Sequence, residues 1–492
     1  MKIRTRFAPS PTGFMHVGNL RTALYEYLTA RHANGTFVLR IEDTDQERYV
    51  EGAIDVIYDT LKLAGISHDE GPDIGGDFGP YVQSERLSIY KPYAEKLIEE
   101  GKAYRCFCSK ERLAKVREDA IANGQDSIGY DRHCRDLSQV EIEKNLNYGI
   151  PYVIRQKLPL SGETTYHDCV YGDITIPNED LDDQILLKVD GFPTYNFANV
   201  IDDHTMGITH IVRGCEYLSS TPKYNALYEA FGWDIPTYIH LPLIMGKSID
   251  EEGKEVVSKL SKRHGSTGFF DLVNEGYLPQ AIINYIALLG WAPSDNKEIL
   301  TMEELINDFN IESISKSPSV FDYDKLLWMN GEYIKAMSSD EFLSYAKVYY
   351  DKFAISSCKY DLLEELLKPR ITKFTEIEEK LEFLAKYEEF ELSLFEHKKS
   401  KSTLETSKQM INEFLPILES IDESNWNRDY LGSKFVDFAT EKEIKNALIM
   451  WPIRIAAAGV AVTPGGCSEV LVLLGREESL RRINLAKSRL EI

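Results

Sequence analysis

The stretch Arg4-Thr5-Arg6-Phe7-Ala8-Pro9-Ser10-Pro11-Thr12-Gly13-Phe14-Met15-His16-Val17-Gly18-Asn19 holds, in order, a strand, a loop and the start of a helix. Ile3, Thr5 and Phe7 alternate as a short strand requires. Pro9 and Pro11 then block both ladder pairing and helix, so the chain must loop. From Asn19, a natural N-cap, the apolar positions Leu20, Ala23, Leu24, Tyr27 and Leu28 share one helical face. Asn34-Gly35 ends that helix, and Thr36-Phe37-Val38-Leu39-Arg40-Ile41 reads as a second strand. A strand, helix and strand within about 40 residues predict a parallel sheet with a right-handed crossover. In such sheets ligands bind in the crevice at the carboxyl ends of the strands. Gly13 and Gly18 allow close backbone approach there, and the helix N-terminus favours an anion such as phosphate. His16 could donate a hydrogen bond to phosphate oxygens from that loop. Taken alone, the same residues also read as an ordinary loop with a turn histidine.

The chain has 492 residues, which predicts roughly three domains. Lys and Arg number 56 against 79 Asp and Glu, a net charge of −23, so the average surface repels phosphate. That balance argues against general affinity for nucleic acid or anionic membrane, yet leaves room for one local basic face. Met1 to Pro9 has no apolar signal core, and Ala281 to Trp291, the richest apolar run, is too short to span a bilayer. Seven cysteines, sparse and odd in number, fit a reducing compartment. Disordered, fibrous, secreted and membrane classes drop out; a cytoplasmic monomer with no membrane partner is expected.

The texture changes after Tyr104. A charged helical stretch follows Cys106 and Cys108, and short β-like runs span 151–160 and 170–176, so 89–192 reads as an insertion into the α/β domain. The α/β texture returns at 191–195 and continues through His210-Ile211-Val212-Arg213. From Pro279, a good N1 residue, helices dominate, with Gly290 placed to close the first. Lys398-Lys399-Ser400-Lys401-Ser402 reads as a loop or linker. Ser258-Lys259-Leu260-Ser261-Lys262-Arg263 sets two lysines three apart in a polar loop, which suits a mobile phosphate clamp, although basic runs are usually solvated surface. Cys106-Phe107-Cys108 and Cys134-Arg135-Asp136, with His133 adjacent, could supply thiolates and a fourth ligand to tetrahedral zinc; unpaired cysteines in a small subdomain are the alternative.

His16-Val17-Gly18-Asn19 resembles the HIGH signature of class I aminoacyl-tRNA synthetases, and Lys259-Leu260-Ser261-Lys262-Arg263 resembles their KMSKS signature. Arg6 to Gly13, Arg40-Ile41-Glu42-Asp43-Thr44-Asp45, Pro193 to His204, and Phe321-Asp322 through Gly331 are similar to the glutamyl and glutaminyl branch. The resemblance runs nearly end to end, through Leu473-Leu474-Gly475-Arg476-Glu477, and is to bacterial-type glutamyl-tRNA synthetases. It implies a Rossmann-like α/β class I catalytic domain (1–88 and 193–247) with an α+β insertion at 89–192 that binds the acceptor end. A stem-contact region at 248–328 and an all-α anticodon-binding part at 329–492 would follow.

The activity implied is ATP-dependent ligation of L-glutamate to the terminal adenosine of tRNA-Glu, with tRNA-Gln left open as a second substrate. ATP would bring Mg²⁺. By resemblance, His16, Lys259 and Lys262 are the catalytic groups, and Ser10, Thr12, Gly13, His16, Gly18, Asn19, Leu260, Ser261 and Lys262 bind ATP. Glutamate would lie among Arg6, Ala8, Ser10, Glu42, Tyr195, Asn199, Arg213 and Glu216, with Arg6 on the side-chain carboxylate and Glu42 on the ammonium. Cys215 departs from the pattern, standing where a second acid is expected before Glu216 and Tyr217. Some members of the family carry zinc in the insertion, which makes Cys106, Cys108, Cys134 and Asp136 (or His133) the expected ligands of one structural ion. A metal reading of Asp202-Asp203-His204 is set aside, because the string belongs to the family pattern. Arg370 is the expected anticodon reader, with Lys368, Arg476, Arg481 and Arg482 as further RNA contacts. The rivals are a glutaminyl enzyme, a noncatalytic tRNA-binding protein, and a metal-dependent nuclease or hydrolase.

Overall fold

The computed structural model describes residues 2–13, 15–45, 48–124, 129–387 and 390–491; the side chain of Lys262 lies outside the described residues. The chain forms two compact units, Met1–Asn274 with Leu278–Tyr323, and Glu275–Tyr277 with Asp324–Ile492.

The first unit is α/β. In chain order the strands are β1 (Arg4–Phe7), β2 (Thr36–Leu39), β3 (Ala103–Cys106), β4 (Val153–Gln156), β5 (Glu163–Asp168), β6 (Gly172–Pro177) and β7 (Ile185–Leu187). They continue with β8 (His210–Gly214), β9 (Thr237–Leu241), β10 (Ile244–Ile249), β11 (Glu255–Lys259) and β12 (Ser319–Val320). β1 and β2 pair in parallel, Thr5 opposite Phe37, as the βαβ reading predicts. β2 is buried along its whole length, which suits its run of apolar residues in a parallel pair. The helix between them, Val17–His32, starts two residues earlier than the apolar period suggests. His16, not Asn19, is its N-cap, accepting from the Gly18 N–H through Nδ1 at 3.0 Å. At its other end the Gly35 N–H reaches the Ala30 carbonyl at 2.6 Å, and Asn34 takes φ of 51°. A Cβ on Gly35 would sit 2.5 Å from the Ile3 carbonyl oxygen, so only glycine lets the chain turn back onto β1.

A four-stranded sheet has the order β6-β5-β9-β8. β8 and β9 run parallel with Arg213 opposite His240, and β5 joins β9 in parallel at Asp168 and Tyr238. The Thr209 N–H donates to the Arg4 carbonyl at 3.0 Å, which brings the start of β8 beside β1. Two strands of the segment read as an insertion, β5 and β6, are therefore hydrogen-bonded into the sheet that carries β8 and β9. The other strands of that segment, β3, β4 and β7, form a sheet of their own. Beneath the four-stranded sheet Tyr166, Met206, Ile208, Ile211 and Tyr238 pack with Val38 and Tyr81.

Arg21 and Tyr25 of the Val17–His32 helix donate to the carbonyls of Leu289 (2.8 Å) and Ala287 (2.9 Å). They satisfy acceptors that the helix Pro279–Ala287 leaves open at its end and set a cation where its dipole is negative. Pro279 begins that helix as expected, whereas its C-cap is Leu288 rather than Gly290.

Among its described residues the regular elements of the second unit are helices joined by turns, including Ser339–Lys352 and Arg476–Leu490. The α/β catalytic architecture followed by a helical C-terminal part is thus as expected. Ser338 and Glu341 close a capping box at the first of these helices, and Thr403 with Thr406 closes another. Residues 398–402 form a tight turn closed by the His397–Ser402 bridge, not a linker. Among the described residues no helix is long and apolar enough to cross a membrane.

Candidate active site

At the carboxyl ends of β1, β8 and β9 lies a cavity of about 360 Å³. Of the residues expected on its walls, Arg6, Ala8, Ser10, Thr12, His16, Gly18, Asn19, Glu42, Tyr195, Arg213, Glu216, Lys259 and Leu260 line it. Gly13, Ser261 and Asn199 do not; Asn199 is 3% exposed, with Nδ2 making no hydrogen bond. Tyr217 supplies the expected aromatic wall, and Cys215 stands off the cavity.

Because His16 spends Nδ1 on the Gly18 amide, its Nε2 is left as the donor for a ligand. Burial and the nearby Lys259 push the imidazole below its usual pKa, which keeps it a neutral donor. The lysine loop reaches the same cavity although Lys259 lies 243 positions after His16. Val17 N–H donates to the Thr267 carbonyl at 2.9 Å, and Phe269 N–H to the Met15 carbonyl at 3.2 Å, so backbone bonds tie the first motif to the segment just after the second. β10 and β11 form an antiparallel hairpin that delivers Lys259 and Leu260 to the wall. His264, which sequence reading did not single out, organises the turn that follows. Its ring lies 3.1 Å from Ser258 Oγ and 3.0 Å from the Ser261 amide. The backbone of Lys262 lies in the short turn Lys262–His264.

Beneath the cavity is a buried ion network that the sequence did not disclose. Arg6 donates to Glu26 and to Asp203, each at 3.0 Å. Arg40 pairs with Asp203 at 2.7 Å and with Glu42 at 2.9 Å, and Arg86 with Asp202 at 2.7 Å. Tyr90 and Gln83 add further donors to Asp202. Asp202 and Asp203, adjacent on the helix Tyr195–Thr205, are therefore anchors for arginines and not metal ligands, while His204 stacks on Trp233 at 3.6 Å. The network holds four carboxylates to three guanidiniums. Burial pushes Glu42 up to about 7 and Glu26 up to about 8 against the pull of their arginines. In Asp203 burial acts the same way but is overcome by Arg6 and Arg40, so its pKa falls. Glu42 Oε2 is buried at the cavity with no hydrogen bond, an anion with one acceptor unspent.

Arg213 differs from Arg6, Arg40 and Arg86. Among the described residues it has no carboxylate partner. Its Nε faces His240 Nε2 at 3.1 Å, its Nη2 donates to Thr221 Oγ1 at 2.8 Å, and Tyr217, Tyr224 and Tyr238 surround it at 4.6 to 5.1 Å. The site thus offers one buried unpaired cation, one under-satisfied anion, and a neutral histidine donor beside a lysine. That set suits a zwitterionic ligand next to a phosphate group. Glu216 folds back over Gly214, where a Cβ would fall 2.0 Å from its Oε2.

In the first unit the sulfurs of Cys106, Cys108 and Cys134 lie within 4.8 Å of one another. Cys106 is pulled down and Cys134 pushed up by the hydrogen bond between them. Neither expected fourth ligand joins them. Asp136 is exposed and 3.3 Å from Lys157, and His133 is exposed. The oxygen at the cluster is Tyr130 Oη, 3.2 Å from Cys106 Sγ and 3.5 Å from Cys108 Sγ.

In the helical unit Arg370 is exposed, with Nη1 on the Leu366 carbonyl at 2.7 Å. Arg482 is 2% exposed and donates to the carbonyls of Phe383, Leu384 and Ala457. Arg476 holds the carbonyls of Glu419 and Ile421, and Arg481 pairs with Glu478. Arg482, buried against three carbonyls, ties helices together and is not the phosphate contact expected of it, whereas Arg476 is only half-buried.

The chain matches the model of the class I (E and Q) tRNA synthetase catalytic domain over residues 2–328 and that of an anticodon binding domain over 328–487. A glutamate–tRNA ligase of Clostridium botulinum (strain Eklund 17B) is 55% identical, covering 98% of both chains. One from Clostridium novyi is 53% identical, covering 100% of this chain and 98% of its own. Among solved structures, a glutamate–tRNA ligase of Elizabethkingia meningosepticum in complex with its amino acid superposes with a TM-score of 0.91 at 37% identity over the whole of both chains.

Proposed function

Because the chain belongs to the glutamate–tRNA ligase family of class I tRNA synthetases, we propose that the cavity between the two motifs is where glutamate and ATP react. The enzyme ligates glutamate to tRNA for protein synthesis, using ATP with Mg²⁺. The observation that carries the site assignment is the meeting, in one cavity, of Arg213, which has no acid partner among the described residues, and Glu42 with a free oxygen.

Glutamate carries two carboxylates and an ammonium. Arg213 and the free Nη2 of Arg6 receive the side-chain carboxylate, and Glu42 Oε2 receives the ammonium. The α-carboxylate oxygen then attacks the α-phosphorus of ATP, and the bond to pyrophosphate breaks. Negative charge gathers on the departing phosphates, where His16 Nε2, Lys259 and Lys262 stabilise it. A ribose hydroxyl of the terminal adenosine then takes the glutamyl group, and AMP leaves. No side chain forms a covalent bond; the work is positioning and charge.

Segment 89–192 receives the acceptor end, 248–328 the stem and 329–492 the anticodon, with Arg370 as a reader. Its exposure supports that role. Cys106, Cys108 and Cys134 would hold one structural Zn²⁺, supported by the clustering of their sulfurs, with Tyr130 Oη the nearest oxygen. The compartment is the cytoplasm, in keeping with free cysteines throughout.

The deciding experiment is aminoacylation of tRNA-Glu and tRNA-Gln transcripts, separately, with labelled glutamate. Charging of tRNA-Glu alone, weakened in Arg370→Ala, supports a discriminating enzyme that reads the anticodon there. Equal charging of both makes it non-discriminating, and charging of neither overturns the assignment.

A further inference from the structure

Arg213 is held in place by neutral groups, and the holding chain crosses three neighbouring strands. Asp168 ends β5, His240 lies on β9 and Arg213 on β8. His240 Nδ1 is 2.6 Å from Asp168 Oδ2, and both side chains are fully buried. Asp168 Oδ2 also accepts from the His240 amide, and Oδ1 accepts from the amides of Val170 (3.0 Å) and Tyr171 (2.8 Å).

A carboxylate so surrounded by donors is an acceptor only, so His240 Nδ1 carries the proton. In a neutral imidazole Nε2 is then an acceptor. That is what Arg213 needs, since a guanidinium has nothing but donors. The opposite tautomer would set two N–H groups against each other at 3.1 Å. Burial, only partly opposed by the Asp168 hydrogen bond, keeps His240 below its usual pKa and so uncharged beside the arginine.

We propose that Asp168 and His240 are positioning residues that lock the His240 tautomer and thereby aim Arg213 at the glutamate carboxylate. An acid placed directly on Arg213, as Asp203 is on Arg6, would neutralise the charge that the ligand must meet. An imidazole between them fixes direction and keeps the anion one residue away. The inference rests on the assignment of Arg213 as a carboxylate ligand made above.

The test is steady-state aminoacylation of tRNA-Glu by the full chain, with KM for glutamate and for ATP measured separately. His240→Asn keeps an amide N–H at the Nδ1 position for Asp168 but removes the acceptor for Arg213. His240→Gln places an amide oxygen near Nε2 and restores that acceptor. His240→Asn is expected to raise KM for glutamate about tenfold or more with KM for ATP little changed, and His240→Gln to recover most of the loss. Equal impairment by both, or an unchanged KM in His240→Asn, would overturn the proposal. Nitrogen-15 NMR of the unsubstituted protein is a second measure: a proton on Nε2 instead of Nδ1 overturns it irrespective of how the variants fold. Arg213→Ala separates the two claims. If it leaves KM for glutamate unchanged, the ligand assignment itself fails; if it raises KM while His240→Asn does not, only the positioning role fails.

Discussion

Glu42 is paired through Oε1 to Arg40 and leaves Oε2 buried at the cavity without a hydrogen bond. Its pKa, pushed up to about 7 by burial, means that part of the population is protonated at neutral pH. A ligand ammonium favours the ionised form, so KM for glutamate should rise as pH falls through about 7. Measured between pH 6 and pH 8.5, that slope should vanish in Glu42→Gln, whose KM is high throughout; a persisting slope would assign the titration elsewhere. Arg6 faces the cavity but also neutralises Glu26 and Asp203. Arg6→Ala strands buried carboxylates and should cost about 3–5 kcal/mol in the unfolding of the α/β unit, besides weakening glutamate binding. Urea titration followed by circular dichroism checks this, and a midpoint equal to the parent's would show that the network is not needed for the fold.

The hairpin of β10 and β11 ends on Lys259 and leads into the turn that holds His264. Gly246 lies opposite Ser258 in the ladder, and a Cβ there would fall 2.5 Å from the His264 ring. Gly246→Ala should push His264 off Ser258 and Ser261 and loosen the loop. If the loop acts, as proposed, on charge that develops during the reaction, kcat should fall about tenfold while KM for glutamate stays near its parent value. A parallel rise in KM would instead place the loop in ground-state binding. The three-cysteine cluster is the other element with a local test. Elemental analysis of the purified chain should find about one zinc per molecule, lost in Cys106→Ser. Absence of zinc from protein grown with zinc would leave Tyr130 and the thiols as a hydrogen-bonded cluster.

Across the whole chain the net charge of −23 opposes RNA, so binding is expected to depend on a local set of cations; exposed Arg370 is available for such a set under the proposal above, whereas Arg482 is buried. Each phosphate contact releases counterions. KM for tRNA should therefore rise at least about tenfold between 50 and 200 mM salt, with KM for ATP nearly level. A flat response would mean that groove and base contacts, not phosphates, hold the tRNA. The acidic remainder then serves solubility and keeps nonspecific RNA away.

The motif strings, the βαβ start and the helical character of the C-terminal part were legible in the sequence, because each is written in neighbouring residues or in a short period. The apolar period located the buried face of the first helix but not its cap, since a histidine capping through its ring leaves no periodic signal. Nor could it tell that β5 and β6 join the sheet of β8 and β9, which depends on a pairing of Asp168 with Tyr238 across the chain. The roles of Asp202 and Asp203 were hidden for a related reason: Arg6 and Asp203 stand 197 positions apart, and an ion pair of that reach has no local signature. Residue types and spacing sufficed to name the chemistry. Which arginines are paired with buried acids, and which one faces only neutral groups, came from packing, because only burial removes the water that would otherwise make all of them alike.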